Sequence, residues 1–433
     1  PRLGRGYSWR QVAAAPRLGR GRVGRNDSPP AGFMIPRLVR QRTSKVPVTI
    51  LTGFLGSGKT TLLNHILEDP NHGLRFAIIE NEFGEVGVDE RILSQKADEE
   101  VVEVMNGCIC CTVRGDLVVA LKKLWNRVSQ FDAVIIETTG LADPAPVAQT
   151  FFVDDDIKSM YSLDGIITVC DSKHITLRLD DEKPEGVENE AVEQVAFADR
   201  ILLNKTDLVD EAELAPIEAR IKKINPSAEI FRCQQSNVDP TNLIGIKAFS
   251  LDKTLEMDPE FLDTEGEHEH DPTVSSTSTK FEGYLNTSKL DKWITEIIQT
   301  MGANLFRYKG VLAVAGMDQK FVFQGVGMLF SGGFTGSKWA PGETRECRFV
   351  FIGKHLDKDA LLAGFDKCRC DLETRFKPGD KVLAKVGKGA DGFFPGVILK
   401  VWDEGNPYRI ELQDDEKTNV WGPVDEAIYV KAA

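Results

Sequence analysis

The stretch Gly53-Phe-Leu-Gly-Ser-Gly-Lys-Thr60 follows a short apolar run, Val48–Leu51, and opens a segment of helical character. It fits G-x-x-x-x-G-K-[ST], and strand, loop and helix are the context that pattern requires. Gly53, Gly56 and Gly58 let backbone N–H groups turn inward around phosphate oxygens, with Phe54, Leu55 and Ser57 completing the loop. Lys59 is expected to reach the β- and γ-phosphates and the Thr60 hydroxyl to ligate Mg²⁺, with Thr61 carrying the cradle into the helix. Such a loop lies at the carboxyl edge of an open α/β sheet.

Four more apolar runs read as buried strands: Phe76–Ile79, Val134–Ile136, Ile166–Val169 and Ile201–Leu203. After Asp116, taken as an N-cap, Leu117, Leu121, Leu124, Trp125 and Val128 keep helical spacing. The alternation predicts an α/β domain over 46–250 with a mostly parallel, doubly wound sheet. Two short motifs end its strands. Glu137-Thr-Thr-Gly140 puts a carboxylate, Glu137, within reach of a Mg²⁺ shell and the Gly140 N–H within reach of a γ-phosphate. Asn204, Lys205, Thr206 and Asp207 end another strand, and an aspartate there accepts two hydrogen bonds from guanine that adenine cannot donate. GTP is therefore expected over ATP. Lys59, Thr60 and Glu137 are the expected catalytic groups for γ-phosphate hydrolysis by water, and no residue stands out as general base.

Between these motifs lies Gly107-Cys-Ile-Cys-Cys111, following an Asn106-Gly107 turn. Thiolates bind Zn²⁺ and Cu⁺ well, and availability favours zinc. Cys108, Cys110 and Cys111 supply three ligands, which leaves a coordination position for solvent, an acid or a receiving protein. A structural site completed by a distant ligand, a redox cluster and buried fillers are the competing readings. Glu80-Asn-Glu-Phe-Gly-Glu85 follows the second strand, so Glu80 or Glu85 could add a metal ligand or position water; a solvated acidic turn is the plainer alternative.

The net charge is −13, unevenly spread. Residues 1–45 carry ten Arg and one Lys against Asp27 alone, so the rest is strongly acidic. That argues against a nucleic-acid-binding body and for a solvated cytoplasmic surface. No apolar run is long enough to cross a bilayer. Residues 1–33 repeat PRLGRG and read as a disordered basic extension, with organelle targeting the second reading. Three of the eight cysteines fall within four residues, which suits metal binding in a reducing compartment better than a disulfide framework.

The motifs GFLGSGKTTLLN at 53–64, ENEFGEVGVD at 80–89, NGCICC at 106–111, ETTGLADP at 137–144 and NKTD at 204–207 together resemble the CobW-type GTPases. Within them they resemble the zinc-regulated GTPase metalloprotein activators. The resemblance implies a GTP-gated metallochaperone with GTP, Mg²⁺ and Zn²⁺ as cofactors, in which nucleotide state controls the thiolate site. Eukaryotic members dock on methionine aminopeptidase through a hydrophobic-Pro-x-Leu-Val-Pro motif. Ile35-Pro-Arg-Leu-Val39 stands in a comparable place, with Arg40 where the last Pro is expected and without the usual acidic surroundings; an ordinary start of the domain is the other reading. Many relatives carry a His-rich linker; this chain has only His268 and His270 there.

Residues 251–280, acidic and then Ser/Thr-rich, read as a linker. Residues 281–370 read as an α+β domain like the family's C-terminal one. Strands are expected at Phe281–Leu285, Gly310–Ala315, Lys320–Gly325 and Cys347–Ile352, and helices at Ser288–Thr300 and Asp357–Phe365. Residues 371–433 resemble a Tudor or SH3-like barrel, outside the usual family plan. Its Phe393, Phe394, Trp402, Tyr408, Trp421 and Tyr429 are open to two readings, an aromatic cage for a methylated cation or core packing, and packing is favoured. Cys368 and Cys370 form a C-x-C without a visible second pair. The function expected is zinc delivery to a client metalloprotein. The alternatives are a GTPase adaptor with structural zinc, or delivery of cobalt or iron.

Overall fold

The β-branched run Val46–Thr52 forms β1 at the centre of a seven-stranded sheet, buried on both faces. The computed structural model describes residues 44–80, 101–103, 113–181, 183, 189–250, 274–302, 304–386 and 392–433. In the first sheet β1 is joined by β2 (Phe76–Glu80), β3 (Val101–Glu103), β4 (Ala133–Glu137), β5 (Tyr161–Asp171), β6 (Arg200–Asn204) and β7 (Glu229–Arg232). The order is β3-β2-β4-β1-β5-β6-β7, and every neighbouring pair is parallel. The order turns at β1, so its carboxyl end opens onto the crevice where such sheets bind ligands.

Among the described residues, seven helices connect and cover these strands: α1 (Lys59–Glu68), α2 (Val113–Trp125), α3 (Ala145–Val153), α4 (Asp155–Met160), α5 (Ile175–Leu179), α6 (Glu190–Phe197) and α7 (Glu211–Ile224). Asp116 is not the cap of α2; it lies in the first turn. A carboxylate complements the helix dipole in either place, so residue type alone does not separate the two registers. β3 and β7 are short and were not legible as apolar runs.

The second sheet is antiparallel. Its strands are β8 (Val274–Glu282), β10 (Leu305–Ala313), β11 (Gln319–Val326), β12 (Leu329–Lys338) and β13 (Glu346–Lys354), in the order β12-β11-β10-β13-β8. The short pair β9 (Tyr284–Leu285) and β14 (Arg369–Cys370) stands beside it with α8 (Thr287–Met301) and α9 (Lys358–Asp366). β8 starts inside the stretch that reads as linker. Its composition suggests disorder, yet it pairs with β13 from Val274↔Lys354 to Glu282↔Glu346. The ladder overrides composition there.

This sheet is packed on both faces, which explains the unbroken apolar run Phe349–Ile352. Val350 and Ile352 join the core of the first domain, with Phe306, Val326, Phe197 and Ile166. Phe349 and Phe351 face α8 and α9, with Trp293 and Phe365. The two domains thus share one hydrophobic core, and α6, buried from Ala191 to Phe197, lies within it.

The last sheet is β15 (Lys381–Lys385), β16 (Phe393–Asp403), β17 (Asn406–Leu412), β18 (Asn419–Gly422) and β19 (Val430–Ala432), ordered β18-β17-β16-β15-β19. Its aromatics divide. Tyr408 is core, and its hydroxyl donates to Asp425 at 2.5 Å. Trp402 Nε1 donates to Leu372 O at 2.8 Å and its backbone lies against Gly316 of the preceding domain, while Tyr429 accepts from Lys292 of α8 at 2.9 Å. Phe394 and Trp421 are exposed, and Phe393 lies under Lys431, whose Nζ is 4.0 Å from the ring centroid. Asn286 secures the sheet, capping α8 through Lys289 N–H and donating to Pro423 O at 2.9 Å.

Four of the described thiols are buried and the fifth, Cys370, is half-buried. Burial pushes Cys233 up to about 11, and Cys170, Cys347, Cys368 and Cys370 up to about 12. In the unfolded chain they ionise near the ordinary thiol value, so the folded state holds more protons above it, and their stabilisation is lost as pH rises. Lys309 works oppositely, since burial lowers it to about 8 and its penalty is relieved above that pH. Thermal stability is expected to hold from pH 8 to 9 and then fall steadily, as melting curves at stepped pH will read. An unchanged melting temperature at pH 10.5 would contradict this.

Candidate active site

The loop after β1 is built on glycines at positive φ, a region that other residues rarely adopt. Gly53, Gly56 and Gly58 have φ of 142°, 81° and 113°. A Cβ on Gly53 would stand 2.3 Å from Val169 O, and one on Gly58 2.4 Å from Asn204 Nδ2, so no larger residue fits either place. Gly58 precedes α1 without a side-chain cap, and the first turn holds no acid. The helix therefore presents bare N–H groups and its positive dipole to the loop. Phe54 is buried, Leu55 is exposed and Thr61 faces out. Ser57 is fully buried, and its Oγ has no hydrogen-bond partner among the described residues.

Lys59 is buried and folds back onto the loop, its Nζ donating to Gly53 O at 2.8 Å and Phe54 O at 3.5 Å. Thr60 Oγ1 donates to Glu137 Oε1 at 3.3 Å, which brings a hydroxyl from the start of α1 and a buried carboxylate from the end of β4 together. These are hard oxygen donors suited to Mg²⁺. Thr138 Oγ1 donates to Thr52 Oγ1 at 2.9 Å and so joins the two strand ends. Gly140 lies against the loop, where a Cβ would meet Leu55 N at 2.5 Å. The glycine cradle, the uncapped helix and the paired oxygen donors fit a nucleoside triphosphate with Mg²⁺.

The third motif divides by role. Asn204 is buried and acts as a clamp: Nδ2 donates to Ser57 O and Ser236 Oγ, both at 2.9 Å, and Oδ1 accepts from Ser236 N at 2.8 Å. Lys205, at φ 59°, reaches Gly56 O at 2.7 Å and Asp171 Oδ2 at 2.8 Å. Burial alone would raise the Asp171 carboxyl, but hydrogen bonds from Lys205 and His174 hold it below its ordinary value. Thr206 Oγ1 donates to Cys233 O at 3.1 Å. Asp207 is exposed, with no hydrogen bond or ion pair among the described residues, so both carboxylate oxygens are open to a ligand.

Sequence reasoning missed Ser236, Asp171, His174 and Gln194. Ser236 follows β7 at the same carboxyl edge, a position that could have flagged it. Gln194 carried no signal, because it lies on a buried helix far along the chain. Glu80 ends β2 in register with Glu137. Glu85, Cys108, Cys110, Cys111, Ile35–Val39, His268 and His270 lie outside the described residues. Among the described residues, no group of three or more His, Cys, Asp or Glu is placed to hold a metal ion. Cys368 Sγ donates to Gly364 O at 3.4 Å and Cys370 Sγ to Tyr284 O at 3.8 Å. No helix among the described residues is long and apolar enough to cross a membrane.

Fold and site together define a P-loop GTPase. The family model for the CobW/HypB/UreG nucleotide-binding domain matches residues 47–232, and that for the cobalamin synthesis protein cobW C-terminal domain matches 274–369. The zinc chaperone YjiA of Escherichia coli is 35% identical over 324 residues, covering 74% of this chain and 98% of that protein. The zinc-regulated GTPase metalloprotein activator 1 of Schizosaccharomyces pombe is 42% identical over 219 residues, covering 49% of this chain and 52% of its own length. The crystal structure of Zn(II)-bound YjiA GTPase from E. coli matches with a TM-score of 0.60 at 30% identity, over 76% of this chain and 100% of that chain. The chain belongs to the CobW family. Neither family model extends past residue 369.

Proposed function

We propose that this GTPase is a metallochaperone that carries Zn²⁺ on Cys108, Cys110 and Cys111 and releases it to a client metalloprotein when GTP is hydrolysed. The observation that carries the proposal is where the chain enters and leaves the thiolate segment. β3 ends at Glu103, at the same carboxyl edge of the parallel sheet as Glu137, and α2 starts at Val113. Cys108 is five residues from Glu103, within about 18 Å of that edge along the chain. A rearrangement at the nucleotide site can therefore act on the metal ligands directly. The zinc named in the relatives supports the choice of cargo.

In this reading Lys59 and the loop N–H groups bind the β- and γ-phosphates, Thr60 and Glu137 hold Mg²⁺, and Asp207 reads guanine. Mg²⁺ neutralises charge on the phosphates when bound. Gly140 N–H meets the γ-phosphate, and its loss after hydrolysis releases the loop that follows β4. Residues Ile35–Val39 point to methionine aminopeptidase as client, and the exposed Phe394 and Trp421 suit a protein ligand for the last sheet.

Two measurements test this. Zinc affinity in the GDP state should be about tenfold weaker than with a non-hydrolysable GTP analogue, and apo methionine aminopeptidase should gain zinc only during turnover. Equal zinc retention with GTP, GDP and the analogue, with no acceptor loaded, would leave the adaptor with structural zinc as the better reading. Separately, Asp207→Asn replaces two charge-assisted acceptors, so GTP affinity should fall about 10²-fold or more, read by competition with ATP. An unchanged GTP-to-ATP ratio would remove Asp207 from base recognition.

A further inference from the structure

Helix α6 is buried from Ala191 to Phe197, yet it carries two polar side chains, Glu193 and Gln194. Such groups are tolerated in an interior only when bonded. Gln194 Nε2 donates to Gly140 O and to Ala142 O, each at 3.2 Å. Both partners are carbonyls, so the amide nitrogen must be the atom that faces them. The backbone of the same residue accepts from Thr168 Oγ1 at 2.7 Å, which pins the helix to β5. A side chain remote in sequence thus holds the loop that lies against Leu55 of the phosphate cradle.

The rest of α6 reaches the second domain. Glu193 Oε1 accepts from Lys354 Nζ, at the end of β13, at 3.3 Å. The rings of Phe197 and Phe306 are 5.1 Å apart, and Asp199 pairs with Arg307 just beyond the helix. Gln194 Oε1 has no hydrogen-bond partner among the described residues.

We propose that Gln194 is a positioning residue for GTP hydrolysis: it sets the loop from Gly140 to Ala142 against the phosphate cradle, and α6 passes the state of that loop to the C-terminal sheet through Glu193 and Lys354. The proposal rests on the reading of Gly140 as the γ-phosphate contact. It makes α6 the rigid link between nucleotide and the second domain, within a core the two domains share.

The test uses the full chain. Gln194→Leu keeps volume and removes both donated bonds. GTP turnover at saturation should fall at least about tenfold, with KM for GTP within about threefold and GDP affinity within about twofold, because only the γ-phosphate contact is misplaced. Equal loss of GDP and GTP binding, with turnover at saturation unchanged, would make Gln194 a packing residue and overturn the proposal. Hydrogen exchange provides the second arm. In the wild type, amides of β10 and β13 should differ between the GDP and GTP-analogue states. That difference should vanish in Glu193→Gln/Lys354→Met, which removes both charges of the pair and leaves the residues of the nucleotide site unchanged. Identical exchange in both wild-type states, or a difference that survives the double variant, would overturn the link. This arm stands even where Gln194→Leu does not fold. A wild-type chain that binds GTP without hydrolysing it would sink the reading of the site itself, a result distinct from the others.

Discussion

Lys59→Met is expected to reduce GTP turnover by about 10²–10³-fold while leaving the fold intact. Lys59 opens α1 and is buried, with its ammonium on Gly53 O and Phe54 O. Those carbonyls hold the charge near the place where the phosphates are expected, so little reorganisation is needed when they arrive. Methionine matches the stem and its packing but brings no charge. The negative charge that develops on the phosphoryl oxygens then loses its one mobile cationic donor in the loop. Single-turnover hydrolysis will show the loss, and melting curves without nucleotide should nearly superimpose on the wild type. A loss below about fivefold would mean that backbone donors and Mg²⁺ carry the stabilisation without this side chain.

Asp199→Asn is expected to destabilise the chain by about 3–5 kcal/mol, a large fraction of a typical folding free energy. The Asp199 carboxylate accepts from Arg307, from Lys309 at 3.4 Å and from Ile166 N–H at 3.0 Å, and all three side chains are largely buried. Arg307 has two further nitrogens, Nε and Nη1, without a hydrogen-bond partner among the described residues, though its guanidinium lies 4.2 Å over the Phe249 ring. Neutralising the only anion of this group leaves two cations in the interface between the domains. Arg307→Met should be far milder, because Asp199 keeps Lys309 and the Ile166 N–H. Urea unfolding of both variants provides the comparison. If Arg307→Met proves the more damaging, the guanidinium packs the interface and the ion pair does not govern it.

The P-loop GTPase class was legible because the motif that carries it is local. A tight turn needs Gly53 and Gly58, phosphate needs Lys59, and the strand that precedes them is short and apolar. Glu137 ends β4, and Asp207 lies in the short turn that follows β6, so both sit near the carboxyl edge of the sheet. Asn204 was only half legible. Its place in the motif suggested ligand contact, whereas its amide ties the phosphate loop to Ser236, a partner made near only by the parallel pairing of β6 and β7. The barrel aromatics were ambiguous for the same reason. Whether Tyr408 or Trp421 is buried depends on strand register, which composition does not contain.

What the sequence by itself determined is the P-loop, the order of motifs around it and the alternation that makes a parallel sheet. Each depends on residues within a few positions of one another, where backbone sterics and periodicity decide. Only the tertiary structure decided that β8 belongs to the second sheet, that Asp199 binds two cations from another domain, and that Gln194 reaches Gly140. Those contacts join residues far apart in the chain. A buried polar group must find its partner in space, and the sequence does not say which distant partner the packed core brings within hydrogen-bond distance.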